Sequence, residues 1–374
     1  MTKYKFPFKT THLSLILALF ICCSFQSNGY SYKHIKTDEP QSIHILEVDP
    51  NHFNIKPVHA FNMSLGRETV ETLSKKNNAI AAVNGGFFKV DRWEGRPSGI
   101  LKINNFWYGL PLQPRGAIAW DHNAKTVLMD RVTASVKISF SGKTYLIDGL
   151  NRPRKLDEII LYSSQFNSTT LTSPEGKEFI IINDKVVAIR NEGNSAIPPN
   201  GFVLSVGKCE SSDFCNHILV GMPMYINIEI TPQSNESTLK LWNSVPNIVG
   251  GTPLLIKNGH IIRDFSPEKT ISSFLTARHA RTAVGILPNG HWIFVVVDGN
   301  QEHLSKGMTM AELADYMFNL GSIGALNLDG GGSSTMVIAN KVVNDPQGDI
   351  DEDQSLKKVR KVSDAILILE KNEY

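Results

Sequence analysis

Apolar and polar positions alternate along much of this chain, and the pattern breaks at short turn-forming segments. Ser42 to Val48 alternates and predicts a half-buried strand. Ile80 to Val83 is a continuous apolar run, a buried strand that stops at Asn84-Gly85-Gly86. Four further pairs of runs carry hairpin chemistry between them. Leu254 to Lys257 and His260 to Ile262 flank Asn258-Gly259, and Ala283 to Leu287 and His291 to Val297 flank Pro288-Asn289-Gly290. Phe179 to Ile182 and Val186 to Ile189 flank Asn183-Asp184, while Ile100 to Ile103 and Phe106 to Tyr108 flank Asn104-Asn105. Asn and Gly favour the positive φ angles of a tight hairpin turn.

Helical spacing is rarer. Glu68 to Lys76 predicts a helix with Val70, Leu73 and Ser74 on one face. A second helix is better specified: Thr309 and Glu312 form a capping box, Met310, Leu313, Ala314 and Met317 repeat at helical spacing, and Gly321 supplies the stop. That stripe reads as core. The expected fold is α+β, with strand-rich mixed sheets and few helices. There is no internal repeat and no composition shift to mark a second domain. The expected organisation is therefore an export signal over 1–29 and one domain over 30–374, with its core motifs in 80–369.

Composition narrows the function classes. A hydrophobic fraction of 41% with 20% charged residues supports a sizeable buried core. A net charge of +2 offers no basic surface for a phosphate backbone, so nucleic acid is not an expected partner. Lys3, Lys5 and Lys9 precede the apolar run Leu13 to Phe25, the layout of a secretory signal. The run is too short for a spanning helix, so no transmembrane segment is expected after signal removal. Ile21 before Cys22 is too bulky for a lipobox, which disfavours lipidation. The expected location is periplasmic or secreted. In an oxidising compartment Cys209 and Cys215, which flank a polar segment, read as one small disulfide loop, with two free thiols as the alternative. No zinc-type spacing accompanies them.

The chemistry sits where strands end. Four patches run from apolar strand straight into small or polar residues: Asn84-Gly85-Gly86, Arg281-Thr282, Asp298-Gly299, and Asp329-Gly330-Gly331-Gly332-Ser333-Ser334. Three successive glycines are entropically costly and suit a close approach of backbone to a guest, such as a phosphate or sugar beside one carboxylate. Taken singly, each patch also has a structural reading: a turn cap, a crowded crossing, a surface ion pair. No Lys follows the glycines, and Thr335 to Ile338 reads as a strand, so this is no P-loop. A nucleophile-elbow spacing around Ser333 is absent as well.

The order of Asn84-Gly85-Gly86-Phe87-Phe88, Arg281-Thr282-Ala283-Val284-Gly285, Asp298-Gly299, the capped helix at Thr309, and Asn327-Leu328-Asp329-Gly330-Gly331-Gly332-Ser333 resembles the phosphodiester glycosidase family. The resemblance covers about Ile43 to Leu369. It implies cleavage of a sugar from a sugar-1-phosphodiester, with Asn84, Arg281, Asp298, Asp329, Gly330, Gly331, Gly332 and Ser333 lining the site. Gly85, Ser334 and Thr309 join them as expected substrate contacts. On this reading Arg281 holds the phosphate, Asp329 acts on the sugar side with Asp298 as alternative or partner, and Asn84 orients either. No cofactor or catalytic metal is expected; a single structural Ca²⁺ stays open. This chain has Asn300 where relatives often have Arg, and Asp364 where they tend to have Asn. Two rival readings remain: non-catalytic binding of a phosphorylated glycan, and a metal-dependent phosphodiesterase built on Asp298 and Asp329.

Overall fold

The computed structural model describes residues 19–208, 213–233, 238–350 and 357–371. Its frame is an eight-stranded antiparallel sheet. In spatial order the strands are Leu19–Ser27, Tyr30–Thr37, Gln41–Val48, Trp292–Val297, Arg281–Ile286, Gly324–Asn327, Leu254–Lys257 and His260–Ile261. A five-stranded antiparallel sheet faces it: Lys341–Val342, Met336–Ile338, Ala81–Asn84, Asp364–Glu370 and Phe53–His59. A seven-stranded sheet and a smaller five-stranded sheet complete the strand-rich α+β fold. The smaller sheet holds a parallel pair, Gly149–Leu150 beside Ile159–Ser163.

The central strands are apolar on both faces because both faces are covered. Trp292, Phe294 and Val296 face a core shared with Val83, Ile366 and Ile368 of the opposing sheet. Ile293, Val295 and Val297 alternate to the other side, where the helix Met310–Asn319 buries Met310, Leu313, Ala314 and Met317. The capping box on that helix is present in full. Gly285 is a strand glycine for a packing reason: a Cβ there would stand 2.7 Å from the Met317 methyl.

Turn chemistry takes the expected form. Asn258 and Gly259 have φ of 50° and 75°, and Asn104 and Asn105 have 49° and 70°. The shorter helix is Val70–Lys76, capped by Thr69, and buries Val70, Leu73 and Ser74.

The apolar run expected as an export signal lies partly outside the described residues; its later part belongs to the outermost strand, Leu19–Ser27. Cys209, the expected partner of Cys215, also lies outside them. Among the described residues no helix is long and apolar enough to cross a membrane.

Candidate active site

Antiparallel order puts alternate strand ends on one side of each sheet. Arg281, which begins its strand, pairs with Val297, which ends the neighbour just before Asp298. Ala283 pairs with Asn327, so the strand leading to Asp329 ends beside them. In the facing sheet Asn84 ends its strand opposite Ala365, next to Asp364. These ends meet. Thr282 donates through Oγ1 to Asn84 Oδ1 at 2.7 Å, joining the two sheets. The Asp329 N–H donates to Gly85 O at 3.1 Å, and Asn84 Nδ2 donates to Asp329 O at 2.8 Å. The Gly331 N–H donates to Ala280 O at 2.8 Å.

Several of the expected site side chains are engaged by the protein itself. Asn84 is fully buried, and its amide is committed to Thr282, Thr335 N–H and the backbone around Asp329. It positions the site from beneath. Thr309 is committed to the helix cap with Glu312. Asp298 is buried with both oxygens occupied. Oδ2 accepts from Ser42 Oγ (2.8 Å) and His44 Nε2 (3.2 Å), and Oδ1 accepts from Asn344 Nδ2 and the Asp345 N–H, each at 3.0 Å. Burial alone would raise this carboxyl. Hydrogen bonds from His44, Asn344 and Ser42, with the His44 charge, hold it below its ordinary range.

Arg281 is also turned inward. Nε donates to Met308 O at 2.8 Å, and Nη2 donates to Phe274 O and Ala277 O at 3.0 and 2.8 Å. Those last two carbonyls close the helix Ser272–Thr276, so the guanidinium satisfies a helix C-terminus. It stacks over the Phe274 ring, 4.9 Å from the centroid. Burial lowers its pKa to about 10, and it remains charged at neutral pH. Gly330 packs on its stem, since a Cβ there would lie 3.8 Å from Arg281 Cδ.

The glycine loop spends most of its N–H groups internally. Gly330 N–H donates to Asp329 Oδ1, while Ser333 and Ser334 N–H donate to Gly330 O and Gly331 O. Gly332 N–H has no backbone partner among the described residues. Gly331 has φ of 59° and nothing within 4 Å of where a side chain would begin. The hydroxyls of Ser333, Ser334 and Thr335 are buried without a partner among the described residues.

Two further residues lie here: Arg360, and Asp364, noted above as a departure from relatives. Arg360 lies over the loop: a Cβ on Gly332 would stand 2.6 Å from Arg360 Cζ. Its Nε donates to Asp349 Oδ1 at 2.7 Å, and its charge acts on Asp329. Asp364 is buried beside Asp329. Its Oδ2 accepts the Gly86 N–H at 2.9 Å, and Oδ1 accepts from Ser363 Oγ. Burial raises both carboxyls to about 6. The Gly330 N–H and Arg360 oppose the rise at Asp329; at Asp364 the Ser363 hydroxyl and the Gly86 N–H oppose it, and the negative charge of Asp329 adds to it. Asp364 borders a cavity of about 390 Å³, walled also by Phe87, Ile100, Leu112, Gln113 and Gly250.

A family model described as phosphodiester glycosidase matches residues 177–369, just over half the chain. The chain belongs to the phosphodiester glycosidase family. The matched segment holds Arg281, Asp298, Asp329, Arg360 and Asp364, but not the Asn84-Gly85-Gly86 turn. Among phosphodiester glycosidase relatives, bovine N-acetylglucosamine-1-phosphodiester alpha-N-acetylglucosaminidase is 31% identical over 146 residues, covering 37% of this chain and 27% of the bovine protein. An uncharacterized Rickettsia conorii protein is 28% identical over 239 residues, 63% of this chain and 79% of the relative. A solved Synechocystis protein shares the fold with a TM-score of 0.77 at 22% identity, over 92% of this chain and 63% of that one. The chain thus spans about a quarter of the bovine enzyme.

Proposed function

We propose that this protein hydrolyses a glycosyl-1-phosphodiester, releasing the sugar and leaving a phosphate monoester on the other partner. The observation that carries the reading is Asp329: a half-buried carboxylate at the meeting point of the strand ends, next to the glycine loop that Arg360 overlies. Cleavage passes through an oxocarbenium-like transition state, and the ionised Asp329 acts at the anomeric carbon. The leaving phosphate monoester is a weak base, so stabilising its charge matters most. Arg360 and the Gly332 N–H supply that stabilisation. Arg281 acts through others: it anchors the Met308 and Phe274 backbone and supports Gly330. The basic-then-apolar N-terminus supports an exported enzyme, periplasmic or secreted.

The test is steady-state hydrolysis of nucleoside-diphosphate sugars and other sugar-1-phosphodiesters. Asp329→Asn is expected to lose at least ~100-fold in kcat, the size of one transition-state contact. A folded Asp329→Asn variant that keeps the full rate overturns the assignment.

A further inference from the structure

A phosphate monoester leaves without help from an acid, yet this site holds a second carboxyl. Asp364 is buried, borders the cavity, and has no cationic partner among the described residues. Gly85 ties it to Asp329. The Gly85 carbonyl accepts the Asp329 N–H, and the missing Gly85 side chain leaves the space that Asp364 Oδ2 fills, 1.9 Å from where a Cβ would be. Two neighbouring carboxyls, one buried and one half-buried, share a proton, because both cannot ionise cheaply. Arg360, which lies over Gly332, is a cation that acts on Asp329 and not on Asp364, and this favours the proton on Asp364.

We propose that Asp364 is a general acid and that the enzyme also hydrolyses ordinary O-glycosides, whose alkoxide leaving groups must be protonated. This rests on the reading of Asp329 as the group acting at the anomeric carbon. The bond from C1 to the leaving oxygen breaks with its electron pair on that oxygen, which takes the Asp364 proton. Water closes on C1, and the proton it releases returns to the carboxyl pair. The products are the free sugar and an alcohol. The cavity that Asp364 borders suits an uncharged aglycone. Phe87, Ile100, Leu112 and Gly250 form much of its wall, and of its two cations, Lys89 and Arg115, the latter is tied to the Glu268 carbonyl.

The experiment uses the full chain and a panel of α-linked hexoses and N-acetylhexosamines. Each sugar is offered as a nucleoside-diphosphate sugar, a 4-nitrophenyl glycoside and a methyl glycoside. The expected result is hydrolysis of all three forms of the preferred sugar. In the wild type, kcat/KM should fall less than ~10-fold from the nitrophenyl to the methyl glycoside, and Asp364→Asn should widen that gap by ~100-fold or more. Turnover of the phosphodiester with none of the methyl glycoside overturns this proposal and leaves the proposed function standing. Turnover of glycosides with no phosphodiester cleavage does the reverse. An Asp364→Asn variant that slows both leaving groups equally removes Asp364 from the acid role, and turnover of no substrate overturns both readings.

Discussion

Asp364 occupies the space that a side chain on Gly85 would need: its Oδ2 lies 1.9 Å from where a Gly85 Cβ would be. The same carboxylate oxygen accepts the Gly86 N–H. The glycine is there to admit the acid. Gly85→Ala should therefore displace Asp364 and cost about 1–3 kcal/mol of stability through overpacking. Chemical denaturation of wild type and variant measures the cost, and glycoside turnover should fall with it. A Gly85→Ala variant with wild-type stability and rate would mean that Asp364 lies elsewhere.

The raised carboxyl at Asp364 fixes the sign of a stability change with pH. Its ordinary value is 3.8 and its folded value about 6. Below pH 4 both the folded and unfolded chains carry the proton, and there is no penalty. Between about pH 4 and 6 the folded chain binds more proton than the unfolded, so stability falls as pH rises. Above 6 the full cost applies, about 3 kcal/mol for a shift of this size. Asp364→Asn should match wild type near pH 4 and exceed it in stability at pH 7.5, even while activity drops. Urea unfolding at the two pH values reads this directly; a variant that is less stable at both contradicts the buried-charge account.

Much of the framework is legible in the chain because its causes are local. Asn258-Gly259 and Asn104-Asn105 make their hairpins through their own φ preferences, and Thr309 with Glu312 makes its cap unaided. The convergence of Asn84, Arg281 and Asp329 is legible too, since each lies where an apolar strand meets small residues. What is not legible is the direction of a long side chain. Arg281 turns inward because Met308, Phe274 and Ala277 bring carbonyls to it, and that meeting is purely tertiary. Asp364 opens an apolar strand, and the sequence shows it only as a departure from relatives. Only its pairing beside Asn84 makes it part of the site. Arg360 belongs to a basic run that reads as solvated surface, and the absence of a side chain at Gly332 gives it room.

Asp298 holds structure together. Its carboxylate joins the strand Gln41–Val48, through Ser42 and His44, to Asn344 and thence to the Ser334 carbonyl. Asp298→Asn must present an amide NH₂ to one pair of donors. Losing charge-assisted bonds of this kind costs about 2–3 kcal/mol. The expected outcome is a lower unfolding midpoint, with kcat of the folded protein reduced by less than ~10-fold, far below the loss for Asp329→Asn. Full stability with a collapse in kcat would instead make Asp298 a catalytic carboxylate.

Arg360 is the cation whose charge bears on Asp329, and it favours the ionised carboxylate. Replacing it by glutamine keeps a similar shape over Gly332 and removes the charge. Burial would then act on Asp329 with less opposition, and its pKa should climb above the present value of about 6. Because the reaction needs Asp329 ionised, the acid limb of the kcat/KM profile should move to higher pH in Arg360→Gln. At fixed neutral pH, kcat/KM for a phosphodiester should fall ~10- to 100-fold, more than for a neutral methyl glycoside, since only the first substrate carries an anion for Arg360 to hold. Measuring both substrates across pH 4 to 9 separates the two effects. A uniform loss with an unmoved acid limb would place the guanidinium outside the reach of both Asp329 and the phosphate.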